Sequence, residues 1–98
     1  MARKKLKILD REKVEKAANI LKAMAHPMRL RIVDLLQYGE MNVGQIQEAL
    51  GVSQSLTSQQ LSHMRTKGLL KARKDGKYVY YSIAMPEVIQ VIHCVKKC

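Results

Sequence analysis

The chain has 98 residues, with 18 Lys or Arg against 8 Asp or Glu, a formal charge of +10 and a pI near 9.9. That length admits one domain, which buries only about 60–65% of its unfolded surface, so sharing a core with a second copy would help it fold. The charge points to a polyanion as partner, which a membrane surface would satisfy as well, while no apolar run approaches the ~20 residues that span a bilayer.

Residues 1–10, MARKKLKILD, form a basic arm carrying Arg3, Lys4, Lys5 and Lys7 without the apolar core of a signal peptide. The cytoplasm is therefore the expected location, and residues 1–98 are read as a single domain without repeats or linkers. Over residues 11–25, Val14, Ala17, Ala18, Leu21, Met24 and Ala25 recur at three- and four-residue spacing opposite Glu12, Lys13, Glu15, Lys16 and Lys22. This predicts an amphipathic helix. Pro27 imposes a break, and residues 28–38 predict a helix that is apolar nearly all round, ended by Gly39.

The stretch from Val43 to Ile83 is the most informative. Val43, Ile46 and Leu50 predict a short helix, Gly51 suits a left-handed turn, and Ser53 can cap a following helix from Gln54 to about Lys67. Two helices across such a turn form a helix-turn-helix. In the second helix, steps of 100° put Thr57, Leu61 and Met64 on one side and Ser55, Gln59, Ser62 and Thr66 on the other. A helix face that serves only solubility usually carries Lys and Glu. A small, polar, uncharged face instead suits base edges, because Gln can bond adenine twice and Ser or Thr permits close approach in the major groove.

Asp75-Gly76 then joins two strand-like runs, Leu69 to Lys74 and Lys77 to Ile83, and predicts a hairpin in which both turn residues take positive φ. Arg73, Lys74 and Lys77 gather at its tip, where a wing would rest on phosphates. Tyr80 and Tyr81 are read as packing residues. Pro86 opens a last helix, residues 86–96, with Val88, Ile89, Val91, Ile92 and Val95 apolar. The two outer helices are expected to pack across a two-fold axis as a homodimer.

Taken together, the expectation is a mainly α winged helix-turn-helix with a β-hairpin wing, about five helices and two strands. The residues expected to touch DNA are Gln54, Ser55, Ser58, Gln59, Ser62, Arg65, Arg73, Lys74 and Lys77. No Ser/His/Asp grouping, phosphate-cradling glycine loop or paired carboxylates suggests an enzyme, and no cofactor is implied. The competing reading is a basic nucleoid-type protein without sequence preference, whose binding would respond only to salt.

The segments AMAHPMRLRIVDLL and GVSQSLTSQQLSHMRTKGLLKARKDGKYVYYSI resemble the ArsR (ArsR/SmtB) family of small dimeric winged-helix repressors. The likeness spans roughly residues 14–96 and rests on His26-Pro27-x-Arg29-Leu30, Ser53-Gln54, Met64-Arg65 before Gly68-Leu69, and Tyr80-Tyr81. It implies a transcriptional repressor that holds a double-stranded operator and leaves it when a metal ion, an oxidant or a sulfur species changes the dimer. Where metal-sensing members carry Glu-Leu-Cys-Val-Cys, this chain has Glu40, Met41, Asn42, Val43 and Gly44, so both thiolates are missing. Met85, Glu87, His93 and Cys98 do not make a zinc set, and His26, His63 and His93 are read as packed or surface residues, so no metal site is expected. Cys94 and Cys98, four apart in the last helix, are the candidate inducer or redox site, although the second helix has no cysteine to pair with them.

Overall fold

Asp10 opens the first helix: its carboxylate accepts the Lys13 N–H at 2.9 Å, and α1 runs Arg11–Met24. The computed structural model describes residues 8–98, so Arg3, Lys4, Lys5 and Lys7 of the basic arm lie outside the described residues. Pro27 sits at the first position of α2 (Pro27–Leu36), where a missing donor costs nothing, and Nδ1 of His26 accepts the Met28 N–H at 3.1 Å. That bond gives His26 a capping role.

The next element was not foreseen. Met41 and Asn42 form β1, a strand too short for alternation to reveal, and α3 (Val43–Leu50) starts directly after it. Asn42 is its cap: its side chain accepts the Gln45 N–H at 2.8 Å and its own N–H donates to Gln45 Oε1 at 2.9 Å. Gly51 ends α3 at φ 67° and ψ 35°, the left-handed turn expected of it, and Ser53 caps α4 (Gln54–Thr66) by accepting the Leu56 N–H at 3.1 Å.

Strands β2 (Leu70–Asp75) and β3 (Tyr78–Ile83) form the hairpin, and β1 adds to its other edge, giving an antiparallel sheet of order β1-β3-β2. The sheet has three strands rather than two. The turn also differs from expectation: Asp75 stays in β2 opposite Tyr78, leaving Gly76 and Lys77 as the loop, and only Gly76, at φ 62°, takes a positive angle. Helix α5 (Glu87–Lys96) closes the fold.

The core is α2 surrounded by α3, α4, α5 and the sheet. Ile32, Val33, Ile46, Leu61, Met64, Leu69 and Val88 have no exposure at all. Thr57 is the one buried polar residue among those described, and its hydroxyl donates to the Ser53 carbonyl at 2.8 Å. Helix α1 stands apart. Only Ala23 and Met24 at its end are buried, while Val14 and Leu21 are 48% and 52% exposed. The radius of gyration is 16.5 Å, against roughly 12.5 Å for a compact chain of this length, and the longest dimension is 66 Å. On α5, Val88 and Ile92 are buried within the same subunit, so only its outer residues, with Val95 52% exposed, remain for a second copy.

Candidate nucleic-acid interface

Helix α4 is held by its buried side, where Thr57, Leu61 and Met64 enter the core as the 100° spacing predicts. Its opposite side carries Ser55, Gln59, Ser62 and Thr66, all exposed, with Gln54 exposed and Ser58 half-buried at its edge. The Thr66 hydroxyl is already engaged, donating to the Ser62 carbonyl at 3.0 Å. Ser55, Gln59 and Ser62 are thus the outward polar groups best placed on a convex ridge. Arg65 is exposed in the last turn of the helix.

The wing presents its cations differently. Lys74 and Lys77 are exposed, and neither pairs with a carboxylate among the described residues. Lys77 lies 5.4 Å from the centroid of Tyr78. Arg73 has partners that the sequence does not reveal. Its guanidinium donates to both carboxylate oxygens of Glu40, Nε at 3.2 Å and Nη2 at 2.5 Å, lies 3.5 Å from Asp75 and covers the Tyr80 ring at 4.9 Å. The hydrogen bond from Arg73 holds the Glu40 carboxyl below its ordinary range, and the same bond raises Arg73. Glu40 had no signal in the sequence, because it reaches the wing only once β1 pairs with β3.

Tyr81 packs against the core, as expected. Tyr80 is half-buried and contacts Arg73 and Tyr78, the two rings lying 6.4 Å apart.

Cys94 and Cys98 are both exposed free thiols. Cys94 lies on α5, Cys98 two residues past its end, and the Cys98 Sγ stands 3.5 Å from the Cys94 carbonyl oxygen. The end of α5 is tied to α2 and the turn beyond it. Lys96 Nζ pairs with Asp34 Oδ1 at 2.8 Å and reaches the Tyr38 hydroxyl at 3.4 Å, while His93 Nε2 is 3.3 Å from Gln37 Oε1. The hydrogen bond from Lys96 lowers the Asp34 carboxyl against a smaller opposing effect of burial, and Lys96 is raised in return. Among the described residues, no three His, Cys, Asp or Glu side chains gather closely enough to hold a metal ion.

Residues 26–72 match the bacterial regulatory proteins of the arsR family. The biofilm growth-associated repressor of Xylella fastidiosa is 33% identical over 91 residues, 89% of this chain and 80% of that protein. The chain belongs to the ArsR family. Its fold agrees with solved structures of similar regulators. That of HlyU from Vibrio cholerae superposes with a TM-score of 0.82 at 35% identity, covering 90% of this chain and 96% of the other. A homodimeric winged helix-turn-helix DNA-binding domain from Mycobacterium bovis, described as a possible ArsR-family transcriptional regulator, superposes with a TM-score of 0.75 at 34% identity over 91% of this chain and 84% of that one. This ArsR-family protein is accordingly a DNA-binding transcriptional regulator and not an enzyme. No helix among its described residues is long and apolar enough to cross a membrane.

Proposed function

We propose that this chain is a homodimeric repressor that reads a specific double-stranded operator with α4 and steadies itself on phosphates with the wing. The observation that carries this reading is the uncharged Ser55, Gln59 and Ser62 ridge flanked by Arg65, Lys74 and Lys77, none of which pairs with a carboxylate among the described residues. Small polar side chains can approach base edges, and cations on either side can hold the duplex in register. Gln54 and Ser58 extend the ridge at its entry. Arg73, braced by Glu40, contributes to wing shape and keeps only part of its charge for a phosphate.

A second copy supplies the other half-site. The exposed apolar side of α1, with Val14 and Leu21, supports a dimer seam that would set two recognition helices about one DNA turn apart. The homodimeric Mycobacterium bovis neighbour favours the same assembly. Repression follows the biofilm growth-associated repressor of Xylella fastidiosa, a similar protein named for that role.

Cys94 and Cys98 are the inducer-responsive site in this reading. Their exposure makes them accessible to an oxidant, a sulfur species or a soft ion, and the Lys96–Asp34 pair gives their turn a mechanical path into α2.

Binding of the purified protein to DNA upstream of its own and adjoining genes tests the proposal, with random duplex as competitor at two salt concentrations. A specific repressor binds its operator on the order of a thousandfold or more tighter than random DNA. Equal affinity for every duplex, varying only with salt, overturns it in favour of a nucleoid-type protein.

A further inference from the structure

One guanidinium joins three helices. Arg29, on α2 and partly buried, donates from Nε to Gln60 Oε1 of α4 at 2.9 Å and from Nη1 to the Ala23 carbonyl of α1 at 3.1 Å. The Ala23 carbonyl belongs to the last turn of α1, where carbonyls lack helical partners, and Ala23 itself is only 6% exposed. No carboxylate pairs with Arg29 among the described residues, so the two hydrogen bonds, rather than an ion pair, orient its charge.

Gln60 occupies a distinctive place on α4. At 100° per residue it lies about 100° round from Gln59, off the outward ridge and beside the buried side of Thr57, Leu61 and Met64. It therefore cannot read a base when the ridge does. His63, one turn on, is held below the usual histidine range first by burial and then by the charges of Arg29 and Lys67.

We propose that Arg29 is a positioning residue for DNA recognition, a latch that fixes the rotation of α4 through Gln60 and ties it to the end of α1. Apolar packing sets the depth of a helix but resists rotation about its axis weakly, and a directional bond at its flank supplies the missing constraint. The planar fork serves both acceptors at once, which the point charge of a lysine cannot do. Because α1 is the helix offered for the dimer seam, the same fork also links the spacing between subunits to the orientation of each recognition helix. The inference rests on the operator-binding reading above for its effect on DNA, but not for the latch itself.

The test measures the ratio of operator to random-DNA affinity, at a temperature where every variant is folded by circular dichroism. Arg29→Met, Arg29→Lys and Gln60→Leu are each expected to lower that ratio about tenfold while random-DNA affinity changes little. Gln60→Glu, which keeps an acceptor for Arg29, retains the wild-type ratio, a rescue that loss of general stability would not produce. Combining Arg29→Met with Gln60→Leu costs no more than Arg29→Met alone, since Arg29→Met already removes the bond to Gln60. Independent losses that multiply, or an unchanged ratio in Gln60→Leu, overturn the proposal. In the free protein, amide exchange of α4 rises in Gln60→Leu and not in Gln60→Glu. Unchanged exchange overturns the latch whether or not an operator exists, whereas equal binding of all DNA by wild type with altered exchange overturns only the operator reading.

Discussion

Arg73 and Glu40 clamp the wing to the strand that precedes α3: two parallel hydrogen bonds cross from β2, over the Tyr80 ring, to the residue just before β1. The clamp joins the hairpin to the strand before the helix-turn-helix and pairs a wing cation of the proposed DNA interface with a carboxylate. Replacing Glu40 by Gln should release that charge. The expected outcome is tighter binding to random DNA at low salt and a salt dependence steeper by about one counterion, measured by titration at several salt concentrations. Because the folded Glu40 carboxyl lies below its ordinary value, the clamp is present above that ordinary value and is lost as pH falls through the lowered one.

Gln59 and Lys77 should fail in different ways. Gln59→Ala is expected to cost about 1–3 kcal/mol on the operator and to relax preference at one base position, leaving random DNA untouched. Lys77→Ala should weaken all duplexes alike and reduce the salt slope by about 1. Parallel losses on operator and random DNA in Gln59→Ala would remove Gln59 from the base-reading set.

The proposed seam is probed at its exposed positions. Leu21→Glu and Val95→Glu place charges on residues that are each 52% exposed in the single subunit, so they should split a dimer without unfolding its halves. Ile92 cannot serve, because it is 4% exposed and packed in its own core. Sedimentation showing the same dimer in the Leu21→Glu, Val95→Glu double variant would place the seam elsewhere.

The thiols carry a separate expectation. Operator affinity of wild type should fall at least tenfold with peroxide, polysulfide or arsenite, and that of Cys94→Ser, Cys98→Ser should not. Identical release by both proteins under every treatment would make these cysteines bystanders.

Asp34 and Lys96 give a pH signature. The folded Asp34 carboxyl is lowered, so its contribution is present above the unfolded value of about 3.9 and is lost as pH falls through the lowered one. Lys96 is raised, so its contribution is present below about 10.4 and is lost as pH climbs past the raised value. Thermal midpoints of wild type and Asp34→Asn should differ slightly at neutral pH, since both side chains are nearly half-exposed and screened, and should converge at both extremes. A difference that persists in acid would show that Asp34 acts through something other than its charge.

Local chemistry made most of the fold legible. Ser53 as a cap, Gly51 in a left-handed turn, Pro27 at a helix start and the three-and-four spacing of Thr57, Leu61 and Met64 act within a few residues, so the sequence by itself determined α3, α4, the hairpin and the outward ridge with Ser55, Gln59 and Ser62. Only the tertiary structure decided the rest. Strand β1 exists because Met41 and Asn42 meet Tyr81 and Tyr80, and two residues hold no period to read. Arg73 finds Glu40 across 33 residues and Arg29 finds Gln60 across 31, bonds that depend on how separate elements dock. The stripes on α1 and α5 looked alike in sequence, yet folding buries Val88 and Ile92 and leaves Val14 and Leu21 in solvent, because apolar spacing specifies a face but not what will cover it.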